Sequence, residues 1–189
     1  MPIALTQIPG PVVSADPPRK RWTRAECATL EASGLLDQER LELVEGELVS
    51  KRQKRPHVNS LTMVQAQLVQ PFGWRFLNVR APIDVAPEDN SGNEPVPDLI
   101  VLRQDESHFT SNPGPQDLRL VAEIADSSPH FDLTVKAPLY ARAGISEYWV
   151  LDVSGRRLLV HRDPHSGMYA DVAVYSEHES VSPLAAPGA

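Results

Sequence analysis

The chain is short of the residues that would make several functions easy. It has one cysteine, Cys27, so it cannot form an intrachain disulfide or a cysteine-rich zinc site. No apolar run is long enough to cross a membrane as a helix. The first residues lack the basic start and apolar core of a secretory signal, so a cytoplasmic protein is the expectation. Basic charge is in deficit: 18 Lys and Arg against 25 Asp and Glu give a net charge of −7. That argues against a protein that coats nucleic acid through bulk charge, and less against an enzyme whose acids bind a cation. The chain has no Gly-rich phosphate loop. Ser127-Ser128 lacks the glycines of a nucleophile elbow. The six histidines form no metal spacing, since Pro164 lies between His161 and His165 and breaks any helical pair.

What remains is enough for one folded domain. The length of 189 residues and 41% hydrophobic content allow a sizeable core. Residues 1–18 are rich in proline and read as an extended arm. Residues 19–178 form the domain, and 179–189 a tail. Thr23 and Glu26 make a capping box for a helix over 24–33 that Gly34 closes. Apolar residues alternate on both sides of Glu45-Gly46, which predicts a hairpin within 40–50. Helical spacing returns over 57–70 and stops at Pro71. Short strands are expected at 75–80 and 83–86, then a polar loop over 87–95. Strands follow at 96–103 and 118–124, a helix with an awkward Pro138 at 132–143, and a buried strand at 147–151. Segments 157–162 and 168–175 complete an antiparallel edge. The fold class is α/β or α+β, a mixed sheet flanked by helices, with a strand-helix-strand crossover after Glu123.

The chemistry concentrates on three residues. Asp98, in Pro97-Asp98-Leu99-Ile100-Val101, enters a strand behind a proline. Glu123 lies inside Leu120-Val121-Ala122-Glu123-Ile124, where a carboxylate is rarely buried without a partner. Lys136 follows. Two carboxylates can hold a hard cation, a cation can polarise a phosphate and acidify water, and an ammonium can offset charge on phosphate oxygens. Each residue also has an ordinary alternative. Asp98 could cap a strand start, Glu123 could pair with Lys136 as a structural salt bridge, and Lys136 could pair with Asp132 on a helix surface. The basic clusters Arg19-Lys20-Arg21 and Lys51-Arg52-Gln53-Lys54-Arg55 read as solvated loops. Tyr148 and Trp149 should pack, and Phe72, Trp74 and Phe76 belong to a core or an interface.

Several motifs in order resemble a known family. Val121-Ala122-Glu123-Ile124-Ala125-Asp126-Ser127-Ser128, then Asp132, Lys136 and Tyr140, then Gly144-Ile145-Ser146-Glu147-Tyr148-Trp149, are similar to the Uma-type restriction endonuclease family of the PD-(D/E)xK nuclease superfamily. Leu41-Glu42-Leu43-Val44-Glu45-Gly46-Glu47-Leu48 resembles the opening hairpin, Pro97-Asp98-Leu99 the PD motif, and His57 a histidine at the start of the next helix. The resemblance spans about 40–175. It implies a restriction-endonuclease-like core, a metal-dependent endonuclease acting on DNA, and Mg²⁺ or Mn²⁺ held by Asp98, Glu123 and the carbonyl of Ile124. It also implies Glu42 as a supporting acid and Lys136 as the ammonium. Ala125 stands where the simple motif has lysine, so Lys136 must supply that group from the following helix. Gln104, Ser127 and Asp132 are weaker candidates to line the site. Cutting a duplex suits a homodimer or higher homo-oligomer. Two other readings stay open: a nuclease-fold protein that binds nucleic acid or protein without turnover, and a structural oligomer whose acids only form ion pairs.

Overall fold

A computed structural model of the chain describes residues 19–36, 40–50, 54–126 and 129–189. The proline-rich arm, Ser127 and residues 51–53 of the second basic cluster lie outside them. Helix α1, Arg24–Ala32, opens on the expected capping box, with Thr23 and Glu26 satisfying each other's backbone N–H. Strands β1, Leu41–Val44, and β2, Glu47–Ser50, pair antiparallel. Glu45 and Gly46 at their turn have φ of 49° and 73°, the left-handed pair that matches the twist of a two-residue hairpin. Gly46 donates to Gly92 O at 2.8 Å and accepts from Trp22 N at 2.8 Å. The hairpin is therefore tied to both the α1 entry and the loop before the PD motif.

The main sheet has six strands in the order β3-β4-β5-β6-β7-β8. These are β3, Leu77–Asn78; β4, Leu99–Leu102; β5, Leu118–Ala125; β6, Glu147–Asp152; β7, Arg157–His165; and β8, Met168–Ser176. Only β5 and β6 run parallel, so a crossover must join them. It is helical: α3, Pro129–Phe131, then a π turn, Asp132–Lys136, then α4, Ala137–Arg142. The awkward Pro138 explains the π turn. A proline lacks its N–H and clashes with the carbonyl four residues back. The wider turn bonds Ala137 N to Asp132 O instead and lets α4 restart with proline in its first turn.

Each face of the sheet has its own core. Ile100, Leu102, Val121 and Val150 pack with Leu139 and Tyr140 of α4. Leu99, Val101, Leu120 and Trp149 pack with Leu61 and Leu68 of helix α2, Arg55–Phe72. This alternation is the two-residue period of a strand buried on both faces. No helix among the described residues is long and apolar enough to cross a membrane.

Five expectations need correction. Segment 75–80 is mostly not strand. Trp74–Phe76 is a 3₁₀ turn, Arg80 has φ of 56°, and only Leu77 and Asn78 pair with β4. Segment 83–86 is buried but makes no ladder, because its N–H groups go to Pro95 O, Pro113 O and the Asn90 side chain. Apolar burial imitated a strand there. Helix α2 runs through Pro71, since a proline in a last turn removes little, and Gly73 ends it with φ of 83° and a 2.8 Å bond to Val69 O. Asp98 lies one residue before β4 rather than within a strand. Residues 179–189, read as a tail, lie against the sheet: Leu184 N donates to Glu147 at 2.8 Å, and Val181 packs on the α2-side core.

Candidate metal and phosphate site

The pleat decides which way Glu123 points. Val121 and Ala125 face the α4 side, so Glu123 between them does too. Lys136 closes the π turn on that side, and its ammonium is 2.8 Å from Glu123 Oε1. Tyr140, one turn on, places its hydroxyl 3.4 Å from the same oxygen. Tyr148 of β6 donates to Asp132 O at 3.2 Å and packs edge-on against Tyr140 at 5.0 Å, which anchors the π turn to the sheet. Tyr148 and Trp149 are buried packing residues, as expected.

Asp98 arrives from β4. Leu99 pairs with Ala122, so Asp98 comes level with Glu123. The two are cross-linked through backbone: Asp98 N donates to Glu123 Oε2 at 3.3 Å, and Ile124 N donates to Asp98 Oδ2 at 2.9 Å. His57, in the first turn of α2, sets Nε2 3.2 Å from Asp98 Oδ1. Glu42 comes from the hairpin, on the same side as Val44. Its Oε1 is 2.8 Å from Lys136 Nζ and its Oε2 accepts from Val96 N at 3.0 Å.

Asp98, Glu123, Lys136 and Glu42 thus form one connected network, and Ile124 joins it through its N–H. All four side chains are at most 4% exposed. The surface Lys136–Asp132 pair is therefore corrected: Lys136 is buried, and Asp132 Oδ1 is a more distant neighbour at 3.8 Å. Gln104 follows the far end of β4 from Asp98 and falls outside the network. Ser127 is outside the described residues.

The charge on Lys136 is well secured. Burial alone would strip its proton, but Glu123 first, with Tyr140, Glu42 and Asp132, outweighs burial and holds the ammonium well above the ordinary lysine range. Burial also pushes the Tyr140 phenol well up, so it stays protonated. In that charged form Lys136 donates hydrogen bonds and attracts anions.

Sequence reading missed Val96 N and Arg80 as neighbours of the site. Arg80 N donates to Asp98 O at 3.2 Å. Neither carries a pattern signal, since one acts through backbone and the other sits in an irregular segment.

A solved structure from Anabaena variabilis ATCC 29413, titled a putative nuclease belonging to DUF820, shares this architecture with a TM-score of 0.57 and 15% identity, covering 78% of this chain and 82% of that chain. No curated protein matches the chain. The sequence profile of Uma2, described as "Putative restriction endonuclease", matches residues 26–189, and with that span the chain belongs to the Uma2 family.

Proposed function

We propose that the chain is a divalent-metal-dependent endonuclease that hydrolyses phosphodiester bonds in DNA, with Mg²⁺ or Mn²⁺ as cofactor. The observation that carries this is the contact of Lys136 with Glu123 at 2.8 Å beside Asp98, in a network built from the ends of two strands, a hairpin and a π turn.

The donor chemistry fits the cation. Asp98, Glu123 and the Ile124 carbonyl offer hard oxygen, and Mg²⁺ is commonly held by one or two carboxylates, waters and substrate phosphate. Among the described residues no three His, Cys, Asp or Glu side chains form a metal cage, so the site would be of this sparse kind. When bound, the ion would supply Lewis acidity toward the phosphate and a more acidic water. The chain's own groups do the rest. Glu42 and Glu123 hold the Lys136 ammonium from two sides and fix its aim. Lys136 then offers N–H donors to a phosphate oxygen or to the attacking water. His57 orients Asp98 through the 3.2 Å contact. Two such sites on a homodimer or higher homo-oligomer would serve the two strands of a duplex.

The test is nicking of supercoiled plasmid with Mg²⁺ or Mn²⁺, with a chelator as control. Asp98→Asn and Glu123→Gln should lower metal-dependent nicking by about 10²–10³-fold while the fold persists. Variants that nick as well as the parent would overturn the assignment. The net charge of −7 and the alanine at position 125, where the simple motif has lysine, favour a second reading, a nuclease-fold protein that binds nucleic acid or protein without turnover. Calorimetry with Mg²⁺ and Mn²⁺ separates them, since the absence of binding at millimolar metal supports the second.

A further inference from the structure

Arg80 stands beside the carboxylates in an unusual state. Its backbone sits in the left-handed region at φ 56°, a conformation that costs a residue with a Cβ and tends to persist at functional positions. Its N–H donates to Asp98 O at 3.2 Å, which fixes the residue against the PD motif. The side chain is half-buried, and its Nε is buried with no hydrogen-bond partner among the described residues. A guanidinium has five donors, and a buried donor left unused is costly unless a ligand takes it. Burial lowers the Arg80 guanidinium from the ordinary arginine range, Asp98 attracts it, and Arg40 repels it. Arg40 precedes the strand that carries Glu42, and Lys54 and Arg55 open the helix that carries His57; all three are exposed.

We propose that Arg80 grips the phosphate of the nucleic-acid strand brought to Asp98 and Glu123. This rests on the nuclease reading for the identity of the ligand. Arginine suits the task because its planar fork matches two phosphate oxygens at once.

Arg80→Gly separates this role from a structural one, because glycine accepts positive φ without strain. The probe is a short fluorescein-labelled DNA duplex of mixed sequence, titrated by anisotropy in EDTA at several salt concentrations. The variant should melt at or above the parent temperature. It should bind roughly tenfold more weakly, with a salt slope smaller by about one. Arg80→Lys should keep the slope and recover only part of the affinity. Unchanged affinity and slope in Arg80→Gly, or a parent chain that does not bind the duplex, overturns the assignment. The nuclease reading fails differently: Asp98→Asn would still cut DNA in metal, whatever Arg80→Gly does to binding.

Discussion

Glu123 and Glu147 sit on neighbouring strands, β5 and β6, and both are almost wholly buried, yet their surroundings differ in kind. Glu147 faces the α2 side. Its Oε1 takes Arg162 Nε at 2.9 Å, Arg162 Nη2 at 2.6 Å and the Trp149 indole at 3.0 Å, and its Oε2 takes Leu184 N at 2.8 Å. Arg162 also holds Ser182 O at 2.7 Å. One carboxylate meets one guanidinium, and the pair pins the C-terminal segment to the sheet. Glu123 faces the α4 side, where Lys136 is shared with Glu42, and Asp98 is threaded in through backbone N–H groups. A matched pair closes a structure. A crowd of acids around a shared ammonium is the arrangement that the proposed endonuclease would use to receive a cation and a phosphate.

Mutations can break this contrast. The largest effect on stability is expected from Arg162→Met, which strands the Glu147 carboxylate and should cost about 3–5 kcal/mol; a urea melt measures it, and the molecules still folded should nick DNA at the parent rate. Glu123→Gln should do the reverse. Cleavage should fall by about 10²–10³-fold, while the urea midpoint falls less than for Arg162→Met, because Glu42 still holds Lys136. Equal stability losses in the two variants would erase the distinction. Tyr140→Phe removes a long 3.4 Å contact and should cost about 1 kcal/mol or less, with cleavage retained.

The smallest effect concerns pH. His161 is buried, and burial lowers its pKa from the ordinary 6.5. The folded state therefore keeps it neutral where the unfolded state gains a proton. Its stabilising contribution is complete above 6.5 and declines as pH falls from there through the depressed folded value. Melting temperatures across that window should slope less in His161→Phe than in the parent.

Local patterns in the sequence carried much of this. The capping box at Thr23, the Glu45-Gly46 turn and the alternation around Glu123 act over a few residues, so they are written locally. The Glu147–Arg162 pair was not legible, because its members meet only after β6 and β7 align and the last residues fold back. Arg80 was hidden for a related reason, since positive φ in a non-glycine residue leaves no compositional trace. The two-strand expectation at 75–86 failed because Ile83 and Val85 are buried by loop contacts rather than by a ladder. At the site, the motif order named residues that the fold brings together, but not that Asp98 would sit outside its strand or that Glu123 would be bound to it through main chain.

The widened turn before Pro138 works like a vernier on the amine. Each residue advances a helix by about 100°, so trimming the segment by one would restore a tidy coil and swing the lysine tip away from the acids. The crossover can change length only in steps that return that tip to the same bearing, and this ties the spacing between strand and helix to the meeting of Lys136 with Glu42 and Glu123.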